Sequence, residues 1–308
     1  MEFQVSLPAT SANLGPAFDA AALALNLALR VRARKARTFS ITATGRDSEI
    51  CGQVENHLIL KTYAEVLTTE KKPATPLALA IHNGFPIGKG LGSSAAARLA
   101  GIALAIHFGH LRWDSTRIIG EASRREHHPD NAAACWMGGI TVARMWGEAE
   151  AQYARFVPKG KWPLMLAIPD QQLATEKARD VLPKEYSRAD AVVNIQNSML
   201  LLAALFQGKH EILKGALHDR IHEPYRAELC PLLPALQHLS PDQGILGVAL
   251  SGAGPSVLLF LDPNSRVEKL KSRVEAHLKE RGLKAELLVT SIARRGGEAS
   301  FPRRSAKS

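Results

Sequence analysis

The chain has 308 residues, 46% of them hydrophobic and 22% charged, values ordinary for a soluble globular protein with room for one large domain or two. Its longest apolar runs, Ala20 to Leu29 and Met199 to Phe206, fall short of a membrane span, and the N-terminus Met-Glu-Phe-Gln-Val-Ser lacks the apolar core of a signal peptide. The formal charge is +10, which suits anionic substrates such as nucleotides.

Much of that charge is local. Arg30, Arg32, Arg34, Lys35 and Arg37 form one run, and alternate spacing puts the first three on one face of a strand. Arg294, Arg295, Arg303, Arg304 and Lys307 form a second run, in or near a tail over 296–308 expected to be poorly ordered. These charges lack the regularly interleaved aromatics that a nucleic-acid stacking surface would require, with Phe301 alone between Arg295 and Arg303, so they read as solvated. Cys51, Cys135 and Cys230 match no metal spacing and read as reduced thiols of a cytoplasmic protein.

In chain order, 3–7 reads as an opening strand, 8–15 as a loop and 20–43 as further strands. A helix follows over 56–67, where Leu58, Ile59, Thr62, Tyr63 and Val66 share a face. A strand over 77–82 leads to Gly88, Gly90 and Gly92, after which Ser93 and Ser94 are placed to cap a helix. Leu99, Ile102, Ala103 and Ile106 fall on one face of that helix. Helices over 116–125 and 132–137 and a strand over 140–145 complete the first half. The second half reads as a strand (162–168), helices (189–206 and 211–217), strands (247–250 and 256–261), a helix (267–280) and a strand (285–290). That succession fits an α+β sandwich.

Alternating glycines that feed a helix N-terminus make an anion site, because backbone amides approach the ligand with no Cβ in the way. The string is neither a Walker A loop, since Gly90 follows Lys89, nor a dinucleotide fingerprint, since Ser93 stands where a third glycine belongs. Pro86-Ile87-Gly88-Lys89-Gly90-Leu91-Gly92-Ser93-Ser94-Ala95-Ala96 instead resembles the second motif of the GHMP kinases. By that resemblance these eleven residues hold the phosphates of ATP, and Asn56 sits near the adenine.

Two further strings are similar to the family's other motifs. Thr10-Ser-Ala-Asn13-Leu-Gly-x-x-Phe-Asp19 resembles the first motif in its homoserine kinase form, which implies that Thr10, Asn13 and Asp19 hold an amino-acid substrate, with Asp19 on its ammonium group. Ser251-Gly252-Ala-Gly254-Pro255 resembles the third motif, a loop that approaches the phosphates.

Between them, Glu121 to Asn131 resembles the Glu-Gly-His-Pro-Asp-Asn signature, with His127 in place of the glycine. The match puts His128 against substrate and makes Asp130 and Asn131 catalytic candidates. It implies Mg²⁺ held by Ser93 or Ser94 with either Glu121 or Glu126. The paired histidines lack a third ligand at metal spacing. Arg179 and Arg226 lie in segments similar to those whose arginines clamp the substrate carboxylate, and Arg179 also orients the substrate. An Arg fork grips a carboxylate bidentately.

The resemblance spans nearly the whole chain and implies the two-domain GHMP kinase fold. Residues 1–160 would form the ATP-binding domain, of the ribosomal protein S5 domain 2-like type, and 161–295 a ferredoxin-like α/β sandwich. The activity implied is ATP-dependent phosphorylation of the side-chain hydroxyl of L-homoserine, a step of threonine biosynthesis, with ATP and Mg²⁺ as cofactors. Whether a general base takes part is left open. The expected partners are small molecules, with no nucleic acid and no membrane; the sequence is compatible with a homodimer.

Overall fold

The computed structural model describes residues 2–239 and 241–301. Ten strands, β1 (Glu2–Ala12), β2 (Ala21–Lys35), β3 (Ser40–Gly45), β4 (Leu77–Asn83), β5 (Ile140–Met145), β6 (Ala151–Phe156), β7 (Leu164–Ile168), β8 (Ile245–Leu250), β9 (Val257–Leu261) and β10 (Glu286–Thr290), form two sheets. The helices are α1 (Ser48–Cys51), α2 (Leu58–Thr69), α3 (Ser93–Phe108), α4 (Ser115–Glu126), α5 (Asp130–Met137), α6 (Thr175–Asp180), α7 (Arg188–Gln207), α8 (Leu213–Ala216), α9 (Glu223–Arg226), α10 (Leu232–Gln237) and α11 (Val267–Glu280).

The first sheet runs β3-β4-β2-β5-β6, with β1 also paired to β2. Its long strand β2 alternates through its second half: Leu29, Val31 and Ala33 are buried while Arg30, Arg32 and Arg34 face solvent, as period-two geometry requires. On the buried face α3 supplies Leu99, Ile102, Ala103 and Ile106. Gly101 lets α2 approach α3, since a Cβ there would crowd the Thr62 side chain and the backbone of Tyr63. The second sheet is antiparallel, β10-β7-β9-β8. Its own core gathers Met165, Val248, Leu259, Leu270 and Val274.

Four expectations are corrected. Residues 8–12 are strand, not loop: β1 continues past a register irregularity between Pro8 and Thr10, which carries the first motif to the sheet edge. Residues 296–301 of the expected tail are packed: Gly297–Ser300 is a 3₁₀ turn, and the Phe301 ring meets Phe3 and Trp136 at 5.3 and 5.5 Å. Arg303, Arg304 and Lys307 lie outside the described residues. Next, α7 is long and apolar enough, by length and composition, to cross a membrane. One of its faces packs on the protein, where Asn194 and Ser198 each donate to the Pro16 carbonyl at 2.7 Å. Finally, the N-cap of α3 is Gly92 and not a serine.

Candidate active site

Gly88, Gly90 and Gly92 take φ of 71°, 75° and 69°, the left-handed conformation in which only glycine is unstrained. Alternating left-handed residues turn successive amides toward one side. The first bond within α3 runs from the Ala96 amide to the Gly92 carbonyl, 3.0 Å, so the amides before it lack helical acceptors and carry the positive end of a sixteen-residue helix. This is the floor of a cavity of about 560 Å³, of a size that suits a small molecule and its cofactor.

All three motifs close on that loop. The Thr10 amide donates to the Leu91 carbonyl at 3.0 Å, and the Ser251 hydroxyl donates to the Gly90 carbonyl at 2.8 Å. Asn13 Nδ2 donates to the Gly252 carbonyl at 2.9 Å, while Asn13 Oδ1 accepts from the Asp19 amide at 2.9 Å. The Thr10 hydroxyl reaches Asn131 Oδ1 at 2.6 Å, although 121 positions separate them.

The part of the cavity lined by Asp19, His128, Asp130 and Arg179 is charged. Asp19 Oδ1 accepts from Arg179 Nη2 at 2.7 Å. His128 Nδ1 lies 2.7 Å from Asp130 Oδ1, which also accepts from the Asn131 amide at 2.6 Å. Burial pushes the His128 pKa down, but the hydrogen bond and charge of Asp130, with Asp19 beyond, outweigh it and hold the imidazole above its ordinary value. The guanidinium carbons of Arg179 and Arg226 lie 5.5 and 5.3 Å from the centre of the Phe18 ring, which orders both. His127 takes φ 69° at the end of α4, so the departure from the signature's glycine keeps a glycine-like backbone at a cost of about 1 kcal/mol.

Most of the expected site residues are brought together. Asn13, Asp19, Asn56, Ile87, Gly88, Gly90, Leu91, Gly92, Ser93, Ser94, Glu126, His128, Asp130, Asn131, Arg179, Arg226, Gly252 and Gly254 all line the cavity. Lys89 does not: its ammonium donates to the carbonyls of Pro169, Asp170 and Gln171, which uses its three protons and ties the loop to the segment after β7. Thr10, Pro86, Ala95 and Ala96 do not line it either: Thr10 is fully buried, and the two alanines are buried in the first turn of α3.

Glu121 is also absent from the wall. It is buried and ion-paired to Arg124 at 3.0 Å and to Arg125, and those arginines hold its pKa below the ordinary value against burial. Glu126, five residues on, is at the cavity, where Oε1 accepts from the Ser94 hydroxyl at 2.5 Å and from Arg98 Nε. Among the described residues, Asp19, His128 and Asp130 bring three ligand-type atoms within 4.8 Å. With the imidazole proton shared toward Asp130 and Arg179 on Asp19, that group is a charge network and not a metal cage.

Phe18, Ser251 and His222 were not singled out from sequence. His222 carried a signal in its place four residues before Arg226, one helical turn away.

A left-handed glycine loop at a helix N-terminus, facing an acid and two arginines across a small-molecule cavity, defines a phosphotransferase of the glycine-loop class. The model of the GHMP kinases N terminal domain matches residues 57–139 and that of the GHMP kinases C terminal region matches 201–280. The chain is similar to the homoserine kinase of Solibacter usitatus, 43% identical over 298 residues and 96% of each chain. It is also similar to that of a Synechococcus strain, 34% identical over 304 residues, covering 96% of this chain and 97% of the relative. The crystal structure of a homoserine kinase from Cytophaga hutchinsonii shares the fold, with TM-score 0.80, 23% identity and 96% coverage of both chains. The chain belongs to the GHMP kinase family, on its homoserine kinase branch.

Proposed function

We infer that this enzyme transfers the γ-phosphoryl of ATP to the side-chain hydroxyl of L-homoserine, giving O-phospho-L-homoserine for threonine biosynthesis. One observation carries the choice of substrate: a carboxylate, Asp19, and two guanidiniums, Arg179 and Arg226, share one end of the cavity whose floor is the glycine loop. That set complements an amino acid, its ammonium on Asp19 and its carboxylate on the arginines. A sugar or an isoprenoid acid offers no cation for Asp19.

In this reading the amides of 88–94 and the α3 N-terminus neutralise the phosphates, which is most of what phosphoryl transfer asks of a protein. Glu126 with Ser94 or Ser93 offers hard oxygen donors around a single carboxylate, a set that fits Mg²⁺. The ion would supply charge neutralisation between the phosphate oxygens. His128 would donate toward substrate, and Asn131, held by Thr10, would orient the reacting hydroxyl. Asn56 would meet the base of the nucleotide.

The three cysteines are buried and free, which supports a reducing, cytoplasmic setting. A homodimer is supported by α7: Ile195, Met199 and Phe206 are 63%, 67% and 63% exposed, and no charged residue occurs between Asp190 and Lys209 to repel a second copy. Light scattering on the purified protein gives the assembly directly.

An ADP-release assay across homoserine, mevalonate and galactose, with and without Mg²⁺, tests the reaction. Turnover confined to homoserine and dependent on the ion is expected; preference for either other alcohol overturns it.

A further inference from the structure

His222 is the one imidazole with no exposure at all, and no step above uses it. It lies beneath the substrate end of the cavity, with Nε2 2.8 Å from the Gly15 carbonyl and Nδ1 3.0 Å from Arg226 Nη1. These two partners fix its proton. A carbonyl only accepts, so Nε2 carries the hydrogen; a guanidinium only donates, so Nδ1 is bare.

Arg226 is thereby held on two sides. Its Nε donates to the Ala178 carbonyl at 2.8 Å, and its Nη1 is spent on His222 and, more distantly, on the Gly252 carbonyl at 3.5 Å. These bonds leave Nη2 over, and Arg226 is among the residues that line the cavity. The Phe18 ring lies against His222, with centroids 5.1 Å apart and planes 27° from parallel, and against both guanidiniums. The half-buried Phe18 ring therefore joins the first-motif turn to the arginine on α9.

We propose that His222 is a positioning residue of the substrate clamp: as a neutral Nε2–H imidazole, it accepts from Arg226 Nη1 through its bare Nδ1 and thereby turns Arg226 so that Nη2 meets the carboxylate of the substrate. The proposal rests on the reading of the substrate as an amino acid. Protonation would set a second cation against Arg226 and remove its acceptor. Burial lowers the His222 pKa to about 4 despite the neighbouring Asp219, which keeps the imidazole neutral at physiological pH.

Two isosteric substitutions separate the two hydrogen bonds. In His222→Asn the amide oxygen takes the place of Nδ1 and can still accept from Arg226; in His222→Gln the amide nitrogen takes the place of Nε2 and keeps only the bond to Gly15. Each variant is assayed on homoserine and on 3-aminopropan-1-ol, the same molecule without its carboxylate. The ratio of the two kcat/KM values is taken on a single preparation, so it is independent of how much protein is folded.

His222→Gln is expected to lower that ratio about 10- to 100-fold, mainly through the KM for homoserine, with the KM for ATP unchanged. His222→Asn is expected to keep the ratio within about threefold of the parent. In an Arg226→Met background the Gln substitution is expected to add almost nothing. Equal ratios in parent and His222→Gln, or equal losses in both variants, overturn the proposal. If the parent itself favours no carboxylate-bearing substrate, the amino-acid reading fails, a result distinct from either of these.

Discussion

Ser94 and Glu126 meet at the rim of the cavity, the serine hydroxyl donating to Glu126 Oε1 at 2.5 Å across two helices. Glu121, the other candidate, is occupied by Arg124 and Arg125 on the far side of the same helix. Five residues on an α-helix turn a side chain by about 140°, so one helix cannot present both glutamates to the cavity. Glu126→Gln is expected to reduce kcat at least about 100-fold and to raise the Mg²⁺ concentration needed for half-maximal rate. Glu121→Gln leaves two arginines without their buried partner, so it should lower the melting temperature while leaving kcat within about threefold. Mg²⁺ titrations and melting curves on both variants check this; equal kinetic losses would place the ion elsewhere.

Asp130 bears on whether the reaction needs a base. Its Oδ1 already serves the His128 ring and the Asn131 amide at the start of α5. For that oxygen to take a proton from the substrate, these two hydrogen bonds would have to be given up. Asp130→Asn is therefore expected to keep kcat within about tenfold and to lower the pKa of His128 in the pH profile of kcat/KM. Asp130 is the base if kcat falls by two orders of magnitude or more.

The glycine loop and α3 were legible because both signals are local: alternating glycines, then apolar residues at i, i+3 and i+4. Helix α11 and strand β5 were read with their observed bounds for the same reason. Strand β6 escaped, since Ala-Gln-Tyr-Ala-Arg-Phe buries only Ala151 and pairs only with β5 at the sheet edge, leaving little apolar alternation to detect. The roles within the site were harder. Lys89 looks like a phosphate ligand until the carbonyls of 169–171 appear beside it. His222 gains its meaning from Gly15, 207 positions away. Local periodicity finds elements, whereas donor–acceptor pairs between distant segments follow only from the fold.

Gly92 faces two demands at once. Its φ is 69°, and a Cβ there would overlap Thr10 Oγ1 and approach Asn131 Oδ1 to 3.0 Å. Gly92→Ala thus strains the loop and pushes apart the Thr10–Asn131 pair. A stability loss of about 1–3 kcal/mol is expected, with a KM for ATP raised at least about tenfold. Nucleotide titration and thermal melting read the two effects separately, and an unchanged ATP affinity would remove the loop from the phosphate site.

Glu223 supplies a test of stability that is independent of catalysis. It is buried, with Oε1 accepting from the Leu250 amide at 2.7 Å and Oε2 from Gln237 at 3.1 Å. Burial pushes its pKa up to about 8, against the pull of those donors, whereas an unfolded glutamate titrates near about 4.3. The folded protein therefore holds the proton more tightly. The stability this confers is complete below about pH 4 and is lost as the pH rises toward 8, by at most about 1.4 kcal/mol per unit. Glu223→Gln is uncharged throughout, so its melting temperature relative to the parent should rise steadily between pH 5 and pH 8. Melting curves at three pH values in that window suffice. A constant difference would mean that Glu223 is ionised in the folded protein over the whole range, with Leu250 and Gln237 holding the charge.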